Sequence, residues 1–503
     1  MDRQYKAVVA FARLLCQAFF RRVEVVGLEN IPKDRGGVLV SWHPNGVIDP
    51  GLILAAFPAR ITFGARDGLF RVPGFNLLLR AAGAVPIRRA QDATRKLSPE
   101  ARREANMRAL DTLAHEVVAG RYSCLFPEGD SHDNPFLLDL KSGAARFFYR
   151  AWALSPGDGP PPALIPVGLH YDDKHAFRSH VLVEFHPPVE LDEELARPPT
   201  DDEPPTQKRS RVERLTDELG RVLQEVVHAT ESWEVHHLMH RVRKLVRAER
   251  VARAGSKLGR PAMRERQLAF ARVWDAVRRL EESDPDLLAH LRGRVTEYDE
   301  DLRALGLEDH ELDRGPAVLR RGLVVLVLLQ ALAVFFLLPP LLIVGALVHA
   351  PVVAVLAVAT RIGAKRRKDV ASIKMLLGAV LLPLTWLSVG LASAFLHGHV
   401  HALFPGIPDT PLLAGLVGTL LCFVGGAAAV RYMRLSRETL RALRVRLTRA
   451  RSREAIARLR RERADLVDDL DKVTAEFDLP GEVSVDGRVV PEGTLAPERL
   501  AKI

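Results

Sequence analysis

The run Ser41-Trp42-His43-Pro44-Asn45-Gly46-Val47-Ile48-Asp49-Pro50 sets an imidazole and a carboxylate close together in the chain. It directly follows the apolar run Val38-Leu39-Val40, which reads as a buried strand. A histidine at a strand end, held at one ring nitrogen by a carboxylate, leaves its other nitrogen free as a base near neutral pH. A second apolar run, Cys124-Leu125-Phe126, ends in Pro127-Glu128-Gly129. Ligands of open α/β sheets sit beyond the carboxyl ends of strands, so two such ends carrying polar groups predict one cleft. The pattern is that of an enzyme.

The elements needed to position these groups are legible nearby. Strands are predicted at Val23–Val26, Val38–Trp42, Ile61–Phe63, Ala84–Ile87, Ser123–Phe126, Ala163–Leu169 and His180–Phe185. Helices are predicted between them at Leu69–Ala82, Pro99–Ala119 and Ser142–Leu154. Alternating strands and helices predict an α/β fold with a largely parallel sheet flanked by helices. Ahead of this region, Val8, Phe11, Leu15 and Phe19 fall at helical spacing. Residues 1–22 therefore form an amphipathic helix, lying on a membrane interface or packed on the catalytic domain. Arg13 interrupts its apolar stretch and no small-residue cleavage site follows, which is unlike a signal peptide.

Beyond a catalytic domain at 23–195, prolines and acidic residues mark a linker at 196–210. Charged helical periodicity, with Leu215, Leu219, Val222 and Val226 in register, predicts a helical subdomain over 211–319. Residues 320–430 read as a membrane region. Met375–Leu396 and Pro411–Val430 are each long enough for one crossing, which needs roughly 20 residues. Gly322–Ala359 is broken by Pro339-Pro340 and Pro351, and reads as a hairpin or re-entrant segment. Basic clusters at Arg320-Arg321, Lys365–Lys368 and Arg431–Arg437 fall on the cytoplasmic side by the positive-inside rule, with His397–Thr410 opposite. Residues 431–503 read as a solvated, charged cytoplasmic helix and tail; Leu459, Leu466 and Val473 repeat at seven, but Arg463 spoils the seam. Together these readings describe an integral membrane protein of a bacterial inner membrane or its equivalent, with catalytic domain and tail in the cytoplasm.

The net charge of +10 favours anionic partners. No aromatic-basic interleaving points to nucleic acid, so lipid headgroups and phosphorylated substrates are the expected ligands. Cys16, Cys124 and Cys422 are too scattered for a disulfide framework or a metal site. His236, His237 and His240, and His397, His399 and His401, lack accompanying acidic or thiol ligands and read as surface histidines.

Four motifs in order resemble those of the glycerolipid acyltransferase superfamily, the PlsC-like enzymes, over about Arg21 to Glu184. His43 and Asp49 resemble the first, with five intervening residues where most members have four. The longer spacing is that of the glycerol-3-phosphate/dihydroxyacetone-phosphate acyltransferase type. Gly83 to Arg89 resembles the second motif, Phe126-Pro127-Glu128-Gly129 is the third intact, and Ala163–Gly168 with central Pro166 resembles the fourth. The resemblance implies transfer of a fatty acyl group from acyl-CoA or acyl carrier protein to glycerol 3-phosphate or its 1-acyl derivative. No metal or bound cofactor is implied. It makes His43 the base and Asp49 its brace, as the carboxylate is in a Ser-His-Asp triad. It makes Phe126, Pro127, Glu128 and Gly129 the acceptor corner and Arg89, with Arg88 beside it, the main phosphate ligand; Lys141, at a helix start, reads as a second, helped by the helix N-terminus. Asp130-Ser131-His132 replaces the commoner Thr-Arg-Ser, so the motif's phosphate-binding arginine is missing. That loss motivates an alternative acceptor, another lysophospholipid or a lipid alcohol. A catalytically silent membrane scaffold is a third reading, and the oligomeric state is left open.

Overall fold

A computed structural model describes residues 2–88, 98–155, 160–197, 200, 202–256, 259–313, 321–364, 366 and 368–495. The chain forms two compact units, Met1–His236 with Ala364–Ser372, and His237–Gly363 with Ile373–Ile503.

In the first unit the order is α1 (Arg3–Phe19), β1 (Arg22–Val26), β2 (Gly37–Ser41), α2 (Ile48–Ala56), β3 (Ile61–Arg66), α3 (Phe75–Ala81), β4 (Val85–Ile87), α4 (Pro99–Val118), β5 (Tyr122–Leu125), α5 (Gly143–Leu154), β6 (Ala163–Tyr171), β7 (His180–Phe185) and α6 (Pro205–Val227). The strands form one sheet in the order β1-β7-β6-β2-β5-β3-β4. Every pairing is parallel except β6 with β7. The largely parallel, helix-flanked sheet expected from the sequence is therefore present. The helix predicted over Leu69–Ala82 is shorter, because Pro73-Gly74 ends a 3-10 turn at Asp67–Arg71 before α3 begins.

β2 lies in the middle of the sheet and is buried along its whole length, as its apolar run requires when both faces are covered. Val38 and Val40 face a core with Leu113 of α4 and Phe147 and Phe148 of α5. Burying one such phenylalanine contributes about 1.5–3 kcal/mol. Leu215, Leu219 and Leu223 of α6 enter the same core. α6 thus belongs to the first unit rather than to a separate subdomain beginning at 211, and the linker ends at Pro204, where Pro205 opens the helix. α1 is packed along the face bearing Tyr5, Cys16 and Phe19, all buried, while Phe11 and Leu14 are exposed; the Tyr5 hydroxyl accepts from the Ile61 amide at 2.9 Å.

The second unit contains α7 (Trp233–Arg253, from His237 onward), α8 (Met263–Ser283), α9 (Pro285–Ala304), α10 (Asp309–Leu312), α11 (Arg321–Leu332), α12 (Leu338–Gly363), α13 (Asp369–Leu403, from Ile373), α14 (Pro411–Arg451), α15 (Arg453–Val473) and a two-stranded ribbon, β8 (Glu482–Val483) with β9 (Val489–Val490). Three helices are long and apolar enough to cross a membrane, Gly345–Gly363, Asp369–Leu403 and Pro411–Arg451, among the described residues. The hairpin expected within Gly322–Ala359 is not formed. A π-helical turn, Ala333–Leu337, joins α11 to α12 in one continuous helical path. Widening the helix immediately before Pro339-Pro340 accommodates carbonyls that two prolines cannot bond, so the chain need not turn back. A Cβ on Gly345 would stand 2.9 Å from the Gly425 backbone, so α12 and α14 approach as closely as only small residues permit.

α15 is likewise not a solvated helix. Ile456, Leu459, Leu466 and Val467 are buried against Leu245, Val295 and Leu302 of the same unit. Arg463, 1% exposed, is the polar element of that seam: it donates to Glu249 at 2.8 Å and to Asp313 and the Asp309 carbonyl at 2.9 Å. The residue that disrupts a heptad is here an internal ion pair.

Candidate active site

β2 and β5 are parallel neighbours, with Val40 paired to Leu125, so their carboxyl ends emerge side by side. His43 follows β2 and Phe126 follows β5; their rings stack with centroids 4.2 Å apart and 18° between planes. The two strand ends are also stitched through the backbone. The His43 amide donates to Glu128 Oε2 at 2.7 Å, and the His132 amide donates to the His43 carbonyl at 3.0 Å.

His43 Nδ1 lies 2.8 Å from Asp49 Oδ2. A carboxylate can only accept, so Nδ1 carries the proton and Nε2 keeps its lone pair. Nε2 has no hydrogen-bond partner within the protein among the described residues, and the side chain is 19% exposed. Asp49 is fully buried in the first turn of α2. Its Oδ2 also accepts the Asn45 amide at 2.7 Å, and its Oδ1 accepts the Tyr171 hydroxyl. Burial, and then the charge of Asp49, hold the Tyr171 phenol well above its ordinary range, so it remains a donor. Tyr171 ends β6, the other neighbour of β2, and sequence reading missed it. Its only signal was its place just past the fourth motif. Cys124 lies near this carboxylate too, and burial reinforced by Asp49 raises its thiol far out of the reactive range.

Glu128 is inside the site but does not offer the free carboxylate expected of an acceptor ligand. Its Oε2 holds the His43 amide, while Oε1 accepts from the Leu138 amide at 2.9 Å and from His132 Nε2 at 2.6 Å. The Asn134 amide donates to His132 Nδ1, which leaves Nε2 as the proton-bearing nitrogen. Glu128 therefore fixes the His43 backbone, and His132 is its buried partner. Pro127 accepts the Lys141 amide at 2.7 Å, and Gly129 turns with φ +71°. The Lys141 side chain is exposed, without a partner among the described residues, and its Cγ passes within 3.5 Å of where a Gly129 Cβ would be. Arg88 is tied at its backbone to Asn106, and its Nε stands 3.7 Å from Asp67. Arg89 lies outside the described residues. The histidines of 397–401 bond backbone carbonyls, His397 to Pro408 at 3.0 Å and His399 to Phe395 at 3.1 Å.

Residues 22–170 match the acyltransferase family, and residues 254–480 match the glycerol-3-phosphate acyltransferase 2 C-terminal domain. The second match runs through the helical, membrane and charged segments that the sequence reading kept apart. Glycerol-3-phosphate O-acyltransferase 1 of Saccharomyces cerevisiae is 30% identical over 206 residues, 40% of this chain and 24% of that protein. Glycerol-3-phosphate O-acyltransferase 2 of the same yeast is 28% identical over 190 residues, 37% and 23% of the two chains. An uncharacterized acyltransferase of Schizosaccharomyces pombe is 26% identical over 206 residues. The matched region spans about a quarter of the length of these relatives. Among solved structures, the 1-acyl-sn-glycerophosphate acyltransferase PlsC from Thermotoga maritima aligns with a TM-score of 0.30 and 21% identity, over 44% of this chain and 79% of that one.

Proposed function

We propose that this chain, an acyltransferase domain joined to a glycerol-3-phosphate acyltransferase 2 C-terminal domain, esterifies the hydroxyl of glycerol 3-phosphate or its 1-acyl derivative with a fatty acyl group from acyl-CoA or acyl carrier protein. The observation that carries this reading is an imidazole braced by a buried carboxylate, its second nitrogen uncommitted, stitched to the Pro-Glu-Gly corner. The acceptor hydroxyl passes its proton to His43 Nε2 as its oxygen attacks the thioester carbonyl. The new C–O bond forms, the C–S bond breaks, and the imidazolium returns the proton to the departing thiolate. Asp49 stabilises that imidazolium.

The developing oxyanion needs backbone donors, and the turn from His43 to Val47 lies beside the base. The His43 and Asn45 amides are engaged by Glu128 and Asp49. Gly46 and Val47 are the amides of that turn without acceptors among the described residues, and they take this role. No metal or bound cofactor enters these steps. The basic run at Lys365–Lys368 belongs on the cytoplasmic face, with α13 and α14 crossing out and back. Lys368 bonds Asp130, next to the acceptor corner, and this contact supports chemistry on that same face.

The test is radiolabelled acyl transfer with glycerol 3-phosphate and with 1-acylglycerol 3-phosphate, wild type beside His43→Ala. Loss of a general base lowers turnover on the order of a hundredfold or more. Retained turnover in the variant removes the mechanism.

A further inference from the structure

The phosphate-binding arginine missing from the third motif leaves a dianionic acceptor short of a cation at the acceptor corner. The structure supplies cations from a segment far along the chain. Lys368, its side chain 8% exposed, donates to Asp130 Oδ1 at 2.9 Å and to the Ser131 carbonyl. Arg366, 66% exposed, reaches Asp130 Oδ2 at 3.2 Å through NH1, leaving its remaining guanidinium donors unused among the described residues. Asp130 thus stands where the motif's cation region begins and holds two cations in place.

A separate observation points to a ligand. Ser372, one helical turn beyond Lys368 and on the same face, is 9% exposed, and its Oγ has no hydrogen-bond partner among the described residues. That hydroxyl lies 3.1 Å from where a Gly46 Cβ would be, and the Lys368 carbonyl 3.7 Å from it. A buried hydroxyl left unsatisfied is costly unless something completes it. Here it borders the turn that joins His43 to Asp49.

We propose that Lys368, Arg366 and Ser372 form a phosphate-monoester subsite beside the catalytic turn. Lys368 keeps a third N–H after Asp130 and Ser131 have taken two, Arg366 offers a planar fork, and Ser372 offers a hydroxyl. These donors come from outside the matched acyltransferase region, 22–170. The subsite rests on the acyl-transfer reading for its ligand, and the phosphate favoured is that of the glycerol acceptor. The 3′-phosphate of coenzyme A has the same chemistry.

The experiment uses the full chain in detergent or lipid discs, with Lys368→Met, Arg366→Ala and Ser372→Ala. It measures KM for glycerol 3-phosphate, KM for acyl-CoA, and calorimetric binding of glycerol 3-phosphate without donor. A lost charge-assisted phosphate contact raises KM and Kd for glycerol 3-phosphate about tenfold or more, with KM for acyl-CoA unchanged. A rise confined to KM for acyl-CoA, absent with dephospho-CoA thioesters, keeps the subsite and assigns it to the donor. Weakened glycerol 3-phosphate binding in a protein without acyl transfer sinks the activity and keeps the subsite. Unchanged KM and Kd in Arg366→Ala and Ser372→Ala, neither of which removes packed core, overturns the proposal.

Discussion

Asp49→Asn separates the two services a carboxylate can give an imidazole, orientation and charge. Asp49 Oδ2 accepts from His43 Nδ1 and from the Asn45 amide, and Oδ1 accepts from the Tyr171 hydroxyl. An asparagine must put its NH2 at one of these positions. At the first it confronts two donors. At the second it meets a hydroxyl that can rotate to accept. Facing Tyr171 avoids an unpaired buried donor, worth about 1–3 kcal/mol, so the His43 tautomer survives and only charge is lost. A carboxylate roughly 4 Å from the centre of a forming imidazolium, at an effective dielectric of about 20, contributes about 4 kcal/mol. Removing it slows turnover about a thousandfold. The assay is steady-state acyl transfer with both KM values measured, and the loss is expected in kcat. A reduction below about tenfold would show that Asp49 does not stabilise the imidazolium, and the charge argument would fail.

Glu128→Gln is expected to lower thermal stability by about 1–3 kcal/mol, because one amide oxygen cannot serve the His43, Leu138 and His132 donors together. KM for the acceptor should barely move, and a large KM rise at unchanged melting temperature would restore Glu128 as a substrate ligand. Burial pushes His186 down to about 4 and His228 to about 3, while both titrate near 6.5 when unfolded. The unfolded chain therefore binds protons first, and stability present above pH 6.5 is lost as pH falls toward 4 and then 3, by up to about 1.4 kcal/mol per pH unit per group. Melting curves of His186→Gln across that window should show a shallower slope; an identical slope refutes the assignment. Arg463→Met leaves Glu249 with Arg253 at 2.8 Å and Asp313 with Arg460 at 3.7 Å, and should cost about 1–3 kcal/mol, read as a lowered melting temperature. A neutral result would mean that water already solvates those carboxylates.

Much of this site was legible because its chemistry lies at strand ends. Apolar runs of strand length locate β2 and β5, and polar residues directly after them mark the functional edge without knowledge of the strand order. What sequence could not give was adjacency. Tyr171 matters because β6 lies beside β2 on the side away from β5, a fact of topology that no spacing encodes. Glu128 carries the same residue type whether it binds substrate or holds a backbone amide; only its three filled hydrogen bonds tell these apart. α6 and α15 were misplaced for a related reason. Helical periodicity reveals that a face is apolar but not what covers it, and both helices cover cores assembled from distant segments. The run around Pro339-Pro340 misled differently, since prolines announce a break and the π-helical turn absorbs it.

The longer spacing between His43 and Asp49 shows how local geometry rescues a motif. One added residue rotates a helical side chain by about 100°, enough to turn a carboxylate away from its imidazole. The chain avoids this by keeping the extra length outside the helix. Gly46 takes φ +52°, a left-handed conformation that suits glycine, and α2 starts only at Ile48. Asn45 then returns its amide to Asp49 Oδ2, and the Ile48 amide bonds the Asn45 carbonyl at 3.1 Å, closing the turn on itself. The same oxygen that orients His43 therefore also fixes the loop that carries it. The separation in sequence is a consequence of where the turn is placed, and the turn delivers the 2.8 Å contact between Nδ1 and the carboxylate. Asn45 braces the longer loop twice, through its backbone amide on Asp49 and through its side-chain Nδ2, which donates to the Lys174 carbonyl at 3.1 Å.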